Sequence, residues 1–212
     1  MLPCSRKYPK LKSKFKADLS KEQRLNPLLD FYYKRHLKQY IFERIVDLKQ
    51  QLLGIDVILT DKKTGAEYIV DEKAQLDYIN ESLPTFVFEL FYTKNVAQKV
   101  GWLFDATKKT DFYALVTSIF SDEEDRFTSC SITFVNRKKL IQHLAKLGLT
   151  QERLLEIALK NKELHGKLVL EKLNPWHEGY LFFSTKNKAE KPINLVLKLD
   201  YLIAVGVAKR LV

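Results

Sequence analysis

Residues 85–92 (Thr-Phe-Val-Phe-Glu-Leu-Phe-Tyr) and 111–120 (Asp-Phe-Tyr-Ala-Leu-Val-Thr-Ser-Ile-Phe) are almost continuously apolar. A strand with one wet face alternates apolar and polar residues, whereas an unbroken run marks a strand covered on both faces. These two runs therefore predict a central sheet with cover on either side. With 212 residues, 46% of them hydrophobic and 12% aromatic, the chain has enough apolar material for one well-buried core.

The rest of the chain supplies that cover. Asn26 and Pro27 suit a helix start, and apolar residues at Ile41, Ile45, Leu48 and Leu52, widened by Phe42, Val46 and Leu53, predict a helix running to about Leu53, where Gly54 stops it. Strand patterns follow at 128–135, 167–171, 179–184 and 193–199, with helices at 137–147 and 150–161 and a final apolar segment at 201–208. The expected class is α/β, a central mixed β-sheet flanked by helices with a β-rich C-terminal extension. Three regions are expected: a basic N-terminal arm over 1–25, an α/β core over 26–135, and a helical hairpin with the β-rich extension over 136–212, packed on the same domain.

Between the first helix and the first apolar run lies the stretch that carries chemistry. Two short apolar runs, 55–59 and 68–74, flank Asp61-Lys-Lys-Thr-Gly65, whose residues are turn formers, so 54–75 predicts a β-hairpin. Side chains two apart on a strand share a face, which sets Asp71, Lys73 and Gln75 side by side. In that hairpin Asp56 comes close to Asp71 across the strand pair. Two carboxylates and an ammonium suit metal-assisted phosphodiester hydrolysis: the acids hold Mg²⁺ or Mn²⁺ and leave positions open for water and phosphate, while the lysine orients the water or offsets growing charge.

Asp56, then Asp71-Glu72-Lys73 on the next strand, resembles the Asp, Asp/Glu-x-Lys signature of the restriction-endonuclease-like nucleases, the PD-(D/E)XK superfamily. Ile55 stands where the literal motif has proline. The resemblance implies a restriction-endonuclease-like core over about 40–120, Asp56 and Asp71 as metal ligands, the Glu72 carbonyl as a further ligand, Lys73 as the catalytic lysine, and Gln75 as the polar residue that follows it. It also implies an acid on the helix before the first catalytic strand, for which Glu43 is the candidate and Asp47 the fallback. Glu89, the single charge in its apolar run, either joins the metal site, pairs with Lys73, or sits in water at a sheet edge.

A formal charge of +10 favours a polyanionic partner or an acidic membrane surface over a neutral substrate. The arm holds Arg6, Lys7, Lys10, Lys12, Lys14, Lys16, Lys21 and Arg24 against Asp18 and Glu22, and Lys94, Lys99, Lys108 and Lys109 cluster around Trp102. These lysines are candidate contacts to a nucleic-acid backbone, with Trp102 read as core. The expected partner is DNA, with RNA as an alternative and a homodimer as one way to cut two strands. No membrane partner is expected, since no run of 18 apolar residues or secretory leader is seen, and a cytoplasmic location follows. Cys4 and Cys130 have no metal-ligand spacing and read as reduced thiols. Two non-catalytic readings stand beside the nuclease: a nucleic-acid-binding module, and an accessory protein of a larger assembly.

Overall fold

The computed structural model describes residues 15–94, 97–123, 126–186 and 189–212. Helix α1 (Phe15–His36) leads into strand β1 (Tyr40–Arg44), the single turn α2 (Leu48–Gln51), and strands β2 (Val57–Asp61) and β3 (Glu67–Ala74). A one-turn 3-10 helix (Leu76–Tyr78) precedes β4 (Thr85–Lys94), β5 (Ala97–Val100), β6 (Phe112–Glu123) and β7 (Arg126–Asn136). Helices α3 (Arg137–Lys146) and α4 (Gln151–Lys160) are followed by β8 (Gly166–Leu168), β9 (Gly179–Phe183), β10 (Ile193–Lys198), α5 (Leu199–Ala204) and β11 (Ala208–Arg210).

The fold is α/β with two sheets. The first is mixed, in the order β1-β2-β3-β6-β7-β11, with β3 and β6 parallel and the other neighbours antiparallel. The second, β5-β4-β10-β9-β8, is antiparallel throughout. Strand β6 is central as its composition requires: Ala114 and Val116 face one core with α1, while Tyr113 and Leu115 face another shared with the second sheet and α3 to α5. Leu25, Leu29 and Tyr33 of α1 seal the first of these cores, and the Leu140, Leu144, Leu154 and Ala158 side chains of α3 and α4 sit in the second. No helix of the described residues is long and apolar enough to cross a membrane.

Three expectations are corrected. The helix expected over 26–53 is instead the latter part of α1, which runs through Pro27 and ends at His36, followed by strand β1 and the short α2. Strand pairing wins there because Phe42 and Arg44 face inward while Ile41 and Glu43 point to solvent, a period of two against β2. The apparent helical stripe is largely wet, with Ile41, Leu48 and Leu52 all exposed. The C-terminal strands are not an appended extension either, since β10 lies between β4 and β9 and β11 pairs with β7. Finally, the basic arm gives way to helix from Phe15 onward, and residues 1–14, with Cys4, lie outside the described residues.

Candidate functional site

The turn sets the register. Asp61 accepts the backbone amides of Lys63 at 2.8 Å and Thr64 at 2.9 Å, and Gly65 takes the left-handed φ of +72° that closes the loop. The ladder then runs Thr60 opposite Glu67 to Val57 opposite Val70, and the Asp56 amide donates to the Val70 carbonyl at 3.0 Å. Asp56 thus stands across from Asp71, as the alternation of the hairpin predicted.

Asp56 Oδ2 accepts the Glu72 amide at 2.7 Å, which ties the start of β2 to the middle of β3. Asp71 is only 1% exposed. Its Oδ1 takes the Lys73 ammonium, and its Oδ2 is buried with no hydrogen-bond donor among the described residues. As carboxylates, neither acid can donate to the other. Burial first, and the Asp71 charge second, push the Asp56 carboxyl up to about 8, against the pull of Lys73 and the Glu72 amide. The crowding of the two acids is relieved in either of two ways, by a proton on Asp56, which could then donate to Asp71, or by a cation.

The surroundings hold these groups in place. The Lys73 ammonium lies 5.6 Å from the centre of the Trp102 ring, and Trp102 packs on Tyr113 and Phe88 at 4.7 and 5.5 Å between centroids. Trp102 belongs with the core, as expected. Gly54, at φ +76°, passes so close that a Cβ there would meet Thr110 Oγ1 at 2.2 Å and Asp71 Oδ2 at 3.1 Å. Lys108 donates to the Leu52 carbonyl at 2.8 Å. Asp56, Asp71, Lys73, Lys108 and Arg44 open into one cleft of about 240 Å³, walled by Leu25 and Leu29 of α1.

Glu72 alternates to the α1 side of β3 and lines the same cleft. Its carboxylate receives Arg44 at 2.6 and 3.1 Å and the Tyr33 hydroxyl at 2.7 Å, and Arg44 also reaches Asp30 at 2.7 and 2.9 Å. Burial works against the Arg44 charge, but the two carboxylates outweigh it and hold the guanidinium above its ordinary range. Burial, with Glu72 adding to it, likewise raises the Tyr33 phenol and pushes the Cys130 thiol up to about 12. This network was missed in the sequence because Arg44 was placed on a helix; reading 40–44 as a strand sets it beside Phe42, facing α1.

The remaining candidates do not line the cleft. Glu43 is exposed on the outer face of β1, and Asp47 caps α2 by accepting the Lys49 amide at 2.7 Å, so the acid expected from a preceding helix is absent from the cleft. Glu89 is on β4 in the second sheet, on the face opposite Phe88 and Leu90, and does not line the cleft. The Gln75 amide is used to bridge the sheets, donating to the Thr85 carbonyl at 2.9 Å. Lys94 and Lys99 are exposed at the β4–β5 end, and Lys109 is exposed beside Lys108. No family model, curated protein or solved structure matches this chain.

Among the described residues no group of three or more His, Cys, Asp or Glu side chains is arranged to hold a metal ion. The two acids of the cleft nevertheless suit a hard divalent cation, because the buried Asp71 Oδ2 lacks a partner and the crowding that raises Asp56 would be relieved by positive charge. Such a cation would take its other ligands from main-chain oxygens, water or the substrate.

Proposed function

We propose that this protein is a divalent-metal-dependent nuclease of the restriction-endonuclease-like class that hydrolyses DNA phosphodiester bonds. The observation that carries the reading is the convergence of Asp56, Asp71 and Lys73 in one cleft, with one buried carboxylate oxygen left without a donor. A mixed sheet, with β1-β2-β3 antiparallel and β6 parallel to β3, and helix α1 on one face, supports the reading at the level of α/β architecture.

Asp56 and Asp71 would hold Mg²⁺ or Mn²⁺, the Glu72 carbonyl being a third candidate. Once bound, the ion would act as a Lewis acid on the phosphate and lower the pKa of a water. Lys73 sits where an ammonium orients that water or offsets charge on the phosphorus centre, and its contact with Asp71 keeps it aimed into the cleft. Arg44 and Glu72, paired on the α1 side of the same cleft, hold β3 in place. Lys108 at the cleft edge, with the exposed Lys94, Lys99 and Lys109, contributes to a field that favours a polyanion.

The absence of a three-ligand acid cluster among the described residues favours a second reading, a nucleic-acid-binding module without catalysis. One experiment separates them. Plasmid, linear duplex, single-stranded DNA and RNA are incubated with the protein in Mg²⁺, Mn²⁺ or Ca²⁺, beside Asp71→Asn and Lys73→Ala. Metal-dependent cleavage lost in both variants supports the nuclease; binding without cleavage in any metal supports the module.

A further inference from the structure

A larger cleft, of about 500 Å³, opens away from the acids at the other end of the mixed sheet. Its floor is aromatic: Tyr40, Tyr68, Phe112 and Phe134 come from the ends of four strands, and Tyr68 meets Tyr40 and Phe112 edge to face at 6.1 and 5.9 Å. Lys139 and Lys209, both exposed, stand on its rim, and among the described residues no acidic side chain lines it. Tyr68 and Phe112 also form a wall of a neighbouring cleft of about 480 Å³, which carries Arg137 and Lys138. The one acid there, Asp111, accepts the Ile69 amide at 2.8 Å and so already has a donor.

Rings without acids, edged by ammonium groups, select a ligand that is flat and apolar in one part and anionic in another. Each cleft has the volume of a small-ligand site and would take one nucleotide. Arg137 spends its guanidinium on the Leu103, Asp105 and Lys108 carbonyls, which leaves Lys138 as the cation of the second cleft; two clefts in series, divided by a shared pair of rings and each edged by lysine, fit successive unpaired bases on a phosphate backbone. Paired bases in a duplex are stacked on one another and present no free ring face. We infer that this double cleft binds a single-stranded stretch of nucleic acid, with bases against Tyr68 and Phe112 and phosphates at Lys139 and Lys209. The biological sense of the inference rests on the nuclease reading, since the strand would be part of its substrate; along β3, Tyr68 is roughly 10 Å from Asp71.

The test is a binding measurement in EDTA, which does not depend on hydrolysis. A short fluorescein-labelled deoxythymidine oligonucleotide and a blunt duplex are titrated by anisotropy with wild type, Lys139→Glu/Lys209→Glu, and a control reversal of equal charge, Lys160→Glu/Lys162→Glu. Affinity for the single strand is expected to fall about tenfold or more in the first double variant and far less in the control, with Tyr68→Leu weakening the single strand selectively. Both lysines are exposed, so the charge-reversed protein is expected to fold even if Tyr68→Leu does not. Equal losses in the two double variants would overturn the inference, as would preference for the duplex, or displacement of the oligonucleotide by AMP at comparable concentration. Cleavage in Mg²⁺ by a protein that fails this test would remove the strand site and leave the nuclease standing.

Discussion

The two faces of β3 carry acids one residue apart, and they live under opposite conditions. Glu72 faces α1, where Arg44 and Tyr33 supply donors to both of its oxygens. Asp71, which lines the same cleft from the other side of the strand, has Lys73 on one oxygen and no donor among the described residues on the other, while Asp56 crowds it. A buried carboxylate with donors on both oxygens holds a fold together. One left short is a place for a ligand or a proton, and alternation along a single strand lets the chain build both within a few ångströms.

If that contrast is right, substitutions on the two faces separate activity from stability. The largest effect is expected on hydrolysis: Lys73→Ala should lower the cleavage rate about 100-fold to 10,000-fold, and Asp71→Asn at least as much, the latter with a denaturant midpoint near wild type. On the other face, Arg44→Met should cost about 3–5 kcal/mol of stability by stranding Glu72 and Asp30, read as a shift in urea midpoint. Combining it with Glu72→Leu should restore much of the loss, since the more buried of the two stranded charges is then gone. A double variant no more stable than Arg44→Met would break the comparison.

The proton balance sharpens it further. The Asp56 carboxyl is raised to about 8 in the fold, above the ordinary aspartate value of 3.8, so between those values the folded state binds more protons than the unfolded one. Its contribution is complete below the ordinary value and is lost as pH rises through about 8. Stability of the metal-free protein is expected to fall across that window, and Asp56→Asn to flatten the profile, measured by urea unfolding at successive pH values. The smallest effect is expected at Gln75, where Gln75→Ala removes one bond to the Thr85 carbonyl and should cost about 1 kcal/mol with the cleavage rate unchanged.

Much of this arrangement was legible in the residues. Turn formers at Asp61 and Gly65 fix a register, and a register places Asp56 beside Asp71 without any tertiary information. Strands β4 and β6 announced themselves by nearly unbroken apolar runs. What failed was local ambiguity over 37–53: Ile41, Ile45, Leu48 and Leu52 keep helical spacing, yet three of the four are exposed, and the deciding contacts are the ladder to β2 and the grip of Arg44 on Glu72. Neither is visible in a window of neighbouring residues. The second sheet was hidden for the same reason, because β4 meets β10 across half the chain.

The most direct measurement is a calorimetric titration of the metal-free protein with Mn²⁺. The account expects one ion to bind with release of protons at neutral pH, the binding to be lost in Asp71→Asn, and to survive in Glu43→Gln and Glu89→Gln. Binding that is undiminished in Asp71→Asn, or abolished by removing Glu43 or Glu89, would contradict it.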